Sequence, residues 1–299
     1  MNQTNLLKNN ATNSWNFLNY PIHTISVKSS TGSSEIAVLL IHGFGASTDH
    51  WRFNIPEISS KFEVHAIDLL GFGKSPKPND VEYSGSLWKD QVVAYVKERI
   101  KKPTIVVGNS LGGYAALAAG AELQNLSAGV ILLNAAGYFS EEKLGKKNML
   151  QTSIETVAGI FLKNIVLQRL IFENMRKPST IKKTLNQVYI NQKNVDDFLV
   201  DSIRNPSLDA GAFNVFRSVF NPSGPQGEPL DELFKKLSSP LLLLWGSKDP
   251  WMNTPKKRGL YEKFTPKNTT EVILDAGHCP HDEVPELVNQ KILDWIESL

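Results

Sequence analysis

The stretch Thr104-Ile105-Val106-Val107-Gly108-Asn109-Ser110-Leu111-Gly112-Gly113-Tyr114-Ala115-Ala116-Leu117 decides how the rest of the chain is read. A short β-branched run meets Gly-x-Ser-x-Gly and passes directly into a helical pattern, Leu111 to Leu123. In that context Ser110 occupies a tight strand-to-helix turn, where small flanking residues avoid collision with the neighbouring strand and helix. The start of the helix then stabilises negative charge near its hydroxyl.

Outward from this turn, similar strand-like runs recur at Ala37–Ile41, Val64–Ile67, Val130–Leu133, Leu241–Trp245 and Glu271–Leu274. They alternate with helical patterns at Leu87–Ile100 and Val284–Ile296. Nearly continuous apolar strands alternating with helices predict an α/β fold whose mostly parallel sheet is covered on both faces. The alternation stops over 138–233, where Ile154, Val157, Ile160, Phe161, Ile165, Leu170 and Ile171 recur at helical spacing, which predicts an inserted helical cap. The turn-rich Asn221-Pro222-Ser223-Gly224-Pro225-Gln226-Gly227 closes it. Residues 21–137 and 234–299 are then the core, and the Asn-rich residues 1–20 read as a mobile or loosely docked polar tail.

The 299 residues are 41% hydrophobic, enough for a full core. Lys and Arg number 32 against 30 Asp and Glu, with no polybasic run, so nucleic acid is not expected as a partner. The single cysteine, Cys279, makes neither an intrachain disulfide nor a zinc cluster, and a reducing, cytoplasmic setting without a metal fits best. The charge-free stretches 103–121 and 123–140 are broken by Gly and Asn, so no membrane span is predicted. Ser140 to Lys193 carries a net charge of +6. Two readings stay open there: a solvated helix face, or a peripheral contact of the cap with an anionic membrane or a negatively charged partner.

A serine hydroxyl needs a base, and of the six histidines His278 follows the last strand in Asp275-Ala276-Gly277-His278-Cys279-Pro280, at the sheet edge where active-site loops gather. His281, three residues on, reads as a loop residue hydrogen-bonded to Asp282 or Glu283. Asp249, after the strand ending Leu244-Trp245-Gly246, is the carboxylate that would orient His278, and Asp68 is the rival with a loop-stabilising role. The chain order Ser110, Asp249, His278 is that of one serine-hydrolase fold and not of the others. Ile41-His42-Gly43-Phe44-Gly45-Ala46 ends a strand with glycines, so the amides of Phe44 and Leu111 are the candidate oxyanion donors, with Gly43, Gly45 and a bracing His42 supporting the loop.

With these loops in order, the chain resembles the α/β-hydrolase superfamily from Ile36 to Leu299. Within it, Ser86-Leu87-Trp88-Lys89-Asp90-Gln91, the Ser110 turn and Ala276-Gly277-His278-Cys279-Pro280-His281-Asp282-Glu283-Val284-Pro285-Glu286 resemble the pheophytinase and chlorophyll-dephytylase-like group. The resemblance implies cofactor-free hydrolysis of a hydrophobic small-molecule ester, such as the phytyl ester of a chlorophyll derivative, with Ser110, Asp249 and His278 matching the triad positions. The same triad also serves C–C bond hydrolases, thioesterases and perhydrolases, and receptor-like proteins that retain the fold bind ligands with slow turnover.

Overall fold

Eight strands share one sheet: β1 (Ala11–Phe17), β2 (Tyr20–Val27), β3 (Ala37–Ile41), β4 (Glu63–Ile67), β5 (Thr104–Asn109), β6 (Ser127–Leu133), β7 (Leu241–Gly246) and β8 (Thr269–Leu274). Their spatial order is β1-β2-β4-β3-β5-β6-β7-β8. The pairs β1–β2 and β2–β4 are antiparallel and the remainder parallel. These positions come from a computed structural model, which describes residues 11–32, 35–144, 164–221, 227–252 and 254–299.

The fold is α/β, as the alternating pattern predicts. Every residue of β3, β5 and β7 is buried, because helices cover both faces of the sheet. On one face α1 (Gly85–Tyr95), α2 (Leu111–Leu123), α7 (Leu230–Lys236) and α8 (Thr254–Phe264) contribute Val92, Ala116, Leu233 and Tyr261 to a core shared with Leu39 and Val106. On the other, α9 (Pro285–Glu297) packs Val288, Ile292 and Ile296 against Leu40, Ile105 and Val107. Successive strand residues thus serve opposite cores, as the two-residue period requires.

The expectation of a loose tail over residues 1–20 is corrected: residues 11–17 form an edge strand, with Ala11 opposite Ser26 and Phe17 opposite Tyr20. Trp15 and Phe17 alternate onto the buried face, while Ser14 and Asn16 point to water. Trp15 meets the Tyr95 ring edge-on at 5.2 Å and donates to Glu98 Oε2 at 2.9 Å. The first ten residues lie outside those described.

Between β6 and β7 the described elements are all helical: a short turn at Ser140–Leu144, then α3 (Ile165–Met175), α4 (Pro178–Val188), α5 (Asp197–Ser207), α6 (Ala212–Val219) and α7. Ile154, Val157, Ile160, Phe161 and most of the 221–227 turn lie outside the described residues. The amphipathic α4 and α5 pack Ile181, Leu185, Leu199 and Val200 into a small core of their own. By contrast Leu230, Leu233 and Phe234 of α7 join the main core, so the layer covering the sheet resumes at 230, within the stretch expected to be insertion. Among the described residues no helix is long and apolar enough to cross a membrane.

Candidate active site

Ser110 leaves β5 with φ 53° and ψ −118°, a conformation that costs a non-glycine residue about 1–3 kcal/mol. Its surroundings hold it there. The Ser110 amide donates to Leu133 O at 3.0 Å, and its carbonyl accepts from Tyr114 N at 3.2 Å and Ala136 N at 2.9 Å. The two motif glycines are required by close approach: a Cβ on Gly108 would lie 2.1 Å from Gly112 O, and one on Gly112 would lie 2.4 Å from His42 O. The helix can therefore begin directly against the ends of β3 and β5.

His278 and Asp249 reach the same end of the sheet from the loops after β8 and β7. His278 Nδ1 donates to Asp249 Oδ2 at 2.6 Å, and both residues are buried. The other carboxylate oxygen, Oδ1, accepts the amides of Trp251 at 2.7 Å and Met252 at 3.1 Å, which fixes the carboxylate plane. With Nδ1 committed, Nε2 is the ring nitrogen left to exchange a proton. The Trp251 ring sits beside His278, centroids 4.8 Å apart and the planes tilted by 60°.

Ser110 and His278 line one cavity of about 180 Å³, with Phe44, Met175, Ile181 and Leu185 among its apolar walls. A second apolar space of about 110 Å³ shares Phe44, Gly45, Met175, Ile181 and Ile203 with the first and continues to Phe172, Val215 and Phe216. The core thus supplies Ser110 and His278, and α3 to α6 supply much of the apolar lining.

The loop after β3 runs beside the serine, since a Cβ on Gly43 would lie 3.3 Å from Ser110 Cβ. Gly45 has φ +71°, and Phe44 rests edge-on against Phe72 and Phe220 at 5.7 and 5.2 Å. Leu111 opens α2, where a first-turn amide has no preceding helical carbonyl to bond. His42 Nδ1 donates to Gly43 O at 2.8 Å and Nε2 accepts from Leu69 N at 3.0 Å, so both ring nitrogens are spent on bracing loops. Asp68 likewise accepts from Thr48 N at 2.6 Å and Lys74 N at 2.7 Å, away from His278.

His281 departs from its expected loop role. Both its ring nitrogens are buried without a hydrogen-bond partner among the described residues, and the ring lies 4.2 Å from Trp51 and 4.5 Å from His50. Burial holds it neutral, well below the usual histidine range. The neighbouring carboxylates are engaged elsewhere. Asp282 accepts from Arg52 Nε at 3.0 Å and Tyr189 Oη at 3.1 Å, while Glu283 accepts backbone amides. Arg52 also binds Asp196 and Asn194 O, tying the inserted helices to the core. His50, which borders the cavity, meets the Tyr189 hydroxyl at 2.8 Å, and burial lowers its pKa to about 3. Burial also pushes the Cys279 thiol well above its usual range, which leaves it protonated.

The sequence reading passed over Asn109 and Asn134. Asn109 Nδ2 donates to His278 O at 3.0 Å, and Asn134 Nδ2 bridges Gly277 O at 2.9 Å and His278 O at 3.1 Å. Asn134 has φ 43°, a left-handed position at a strand end where asparagine is favoured. Among the described residues no cluster of three or more His, Cys, Asp or Glu could hold a metal ion.

Comparison with known proteins agrees with this architecture. The sequence model described as "alpha/beta hydrolase fold" matches residues 36–285. The chloroplastic pheophytinase of Arabidopsis thaliana is 30% identical over 88% of this chain, which spans 61% of that relative's length. The uncharacterized hydrolase YugF of Bacillus subtilis is 26% identical, covering 87% of this chain and 89% of its own. Among solved structures, a membrane phospholipase A described as a bacterial virulence factor superposes with a TM-score of 0.76 at 25% identity, over 98% of this chain and 88% of that one. With the family match spanning most of its length, this chain belongs to the α/β-hydrolase fold family.

Proposed function

We propose that this protein is a cofactor-free serine hydrolase that cleaves a carboxylic ester of a hydrophobic small molecule. The observation that carries the reading is the 2.6 Å Asp249–His278 bond beside a strained serine that lines the same apolar cavity. Ser110 Oγ attacks the ester carbonyl while His278 Nε2 takes its proton. The amides of Phe44 and Leu111 receive the charge on the tetrahedral oxygen. Collapse expels the alcohol, which takes the proton from His278, and leaves an acyl-enzyme. A water molecule, deprotonated by the same nitrogen, then releases the acid and restores Ser110.

The helices α3 to α6 act as a cap, and the two adjoining apolar spaces suit a long acyl or isoprenoid chain. A relative named for pheophytin and a structural neighbour named for phospholipid support an ester with a long apolar chain. Within that class, the phytyl ester of a chlorophyll derivative is the first substrate to try.

The test combines a fluorophosphonate probe with a panel of p-nitrophenyl esters of increasing chain length and detergent-dispersed pheophytin a, with Ser110→Ala as control. Labelling confined to Ser110 and hydrolysis of long-chain esters are expected. Release of dephytylated pigment by the wild type alone would fix the substrate class, and hydrolysis of the simple esters without it would discard the pigment. Absence of both labelling and ester hydrolysis would refute the serine chemistry.

A further inference from the structure

Every polar backbone atom of His278 is engaged. Its amide donates to Val188 O at 2.8 Å, at the end of α4, and its carbonyl accepts from Asn109 and Asn134. Five residues on, the buried Glu283 joins the same two parts of the molecule. Its Oε2 accepts the Gly277 amide at 2.7 Å, and its Oε1 accepts the amides of Ile190 at 2.9 Å and Asn191 at 2.8 Å. One carboxylate therefore holds the residue before His278 with one oxygen and the chain leaving α4 with the other.

From this geometry we infer that Glu283 is a positioning residue, locking the His278 loop to segment 188–191 so that the inserted helices help set the reach of His278 toward Ser110. The inference rests on the serine-hydrolase reading for its kinetic consequence but not for its structural one. Two acceptor oxygens on one rigid plane are needed, because the amides approach from two sides. Glutamine would keep one acceptor and turn an NH₂ against donors on the other side, and aspartate, one methylene shorter, would bridge neither gap well. Displacement of a reacting group by about 1 Å can cost about 10²-fold in rate.

The experiment compares wild type, Glu283→Gln and Ile190→Pro on a short p-nitrophenyl ester, with rates normalised to fluorophosphonate-labelled sites. Glu283→Gln should lower kcat about 10²-fold with little change in KM. A kcat per labelled site equal to wild type, or a rise in KM alone, would overturn the positioning role. Ile190→Pro deletes one cap-side donor at an exposed residue, and Tyr189, at φ −105° and ψ 121°, already has a backbone suited to precede proline. It should lower kcat in the same direction but less, and it decides the matter if Glu283→Gln does not fold.

Amide hydrogen exchange supplies a readout independent of turnover. Loss of the Glu283 carboxylate should speed exchange in 188–191 and 277–283 together, and acceleration in only one segment would overturn the clamp. Failure of wild type to label or hydrolyse would instead refute the ester-hydrolase reading, with exchange still deciding the clamp.

Discussion

Asp249→Asn tests the site at its most constrained point. The carboxylate serves two sides: Oδ1 takes two backbone amides at 2.7 and 3.1 Å, and Oδ2 takes the His278 ring at 2.6 Å. Asparagine has one acceptor oxygen for these three donors. Turning its NH₂ toward the amides would leave two buried donors facing a third, at about 1–3 kcal/mol for each bond lost. Turning it toward His278 costs less, because the imidazole can move its proton to Nε2 and accept at Nδ1. The second arrangement wins, and it leaves His278 in the tautomer that cannot take the Ser110 proton. A wrong tautomer costs about 10⁴ in kcat, or about 5 kcal/mol of transition-state stabilisation. The assay is p-nitrophenyl butyrate hydrolysis from pH 6 to 9 on active-site-titrated enzyme, with thermal unfolding to establish that the fold persists. A rate within tenfold of wild type in a folded variant would refute the reasoning and move the orienting carboxylate away from Asp249.

Gly108→Ala forces a methyl group to within 2.1 Å of the Gly112 carbonyl and 2.6 Å of Gly113 N, both backbone, so relief requires the helix to shift. Destabilisation of about 3 kcal/mol is expected in urea unfolding, and an unchanged midpoint would contradict the close approach. Burial raises Asp282 to about 6, while the Arg52 charge opposes that rise. Because its folded pKa lies above the unfolded value of 3.8, this carboxyl contributes most stability at low pH and loses it as pH climbs through that window. Arg52→Gln should therefore destabilise more at pH 8 than at pH 5, and equal losses at the two pH values would refute the coupling.

The candidate residues stood out in the sequence for a physical reason: parallel strands end at one edge, and each candidate stands within a few residues of a recognisable strand end. Ser110, Asp249 and His278 could thus be picked out one strand at a time. The residues that brace them could not. Asn134, Glu283 and Tyr189 act through partners more than 90 positions away or through backbone amides, and nothing in their local sequence distinguishes them from ordinary loop and helix polars. The first strands escaped for a different reason. β1 lies at an edge and over residues 14–17 buries only alternate positions, so Trp15 and Phe17 were too few to stand out from the asparagines around them. Burial of His281 also defied its sequence, because the hydrogen bonds its acidic neighbours offer go to Arg52, Tyr189 and the backbone.

The two ends of the sheet also bear on self-association. An open strand edge invites pairing with another molecule, which proteins discourage by placing polar and charged groups along it. At one end β1 presents Ser14 and Asn16 to solvent. At the other, β8 is β-branched, with Ile273 exposed, and Glu271 sits within it, paired with Arg258 of α8 through two bonds of 2.7 Å. The main consequence of that ion pair is colloidal: it keeps a charged gatekeeper on the more adhesive rim, which guards the sheet against becoming a template for aggregation.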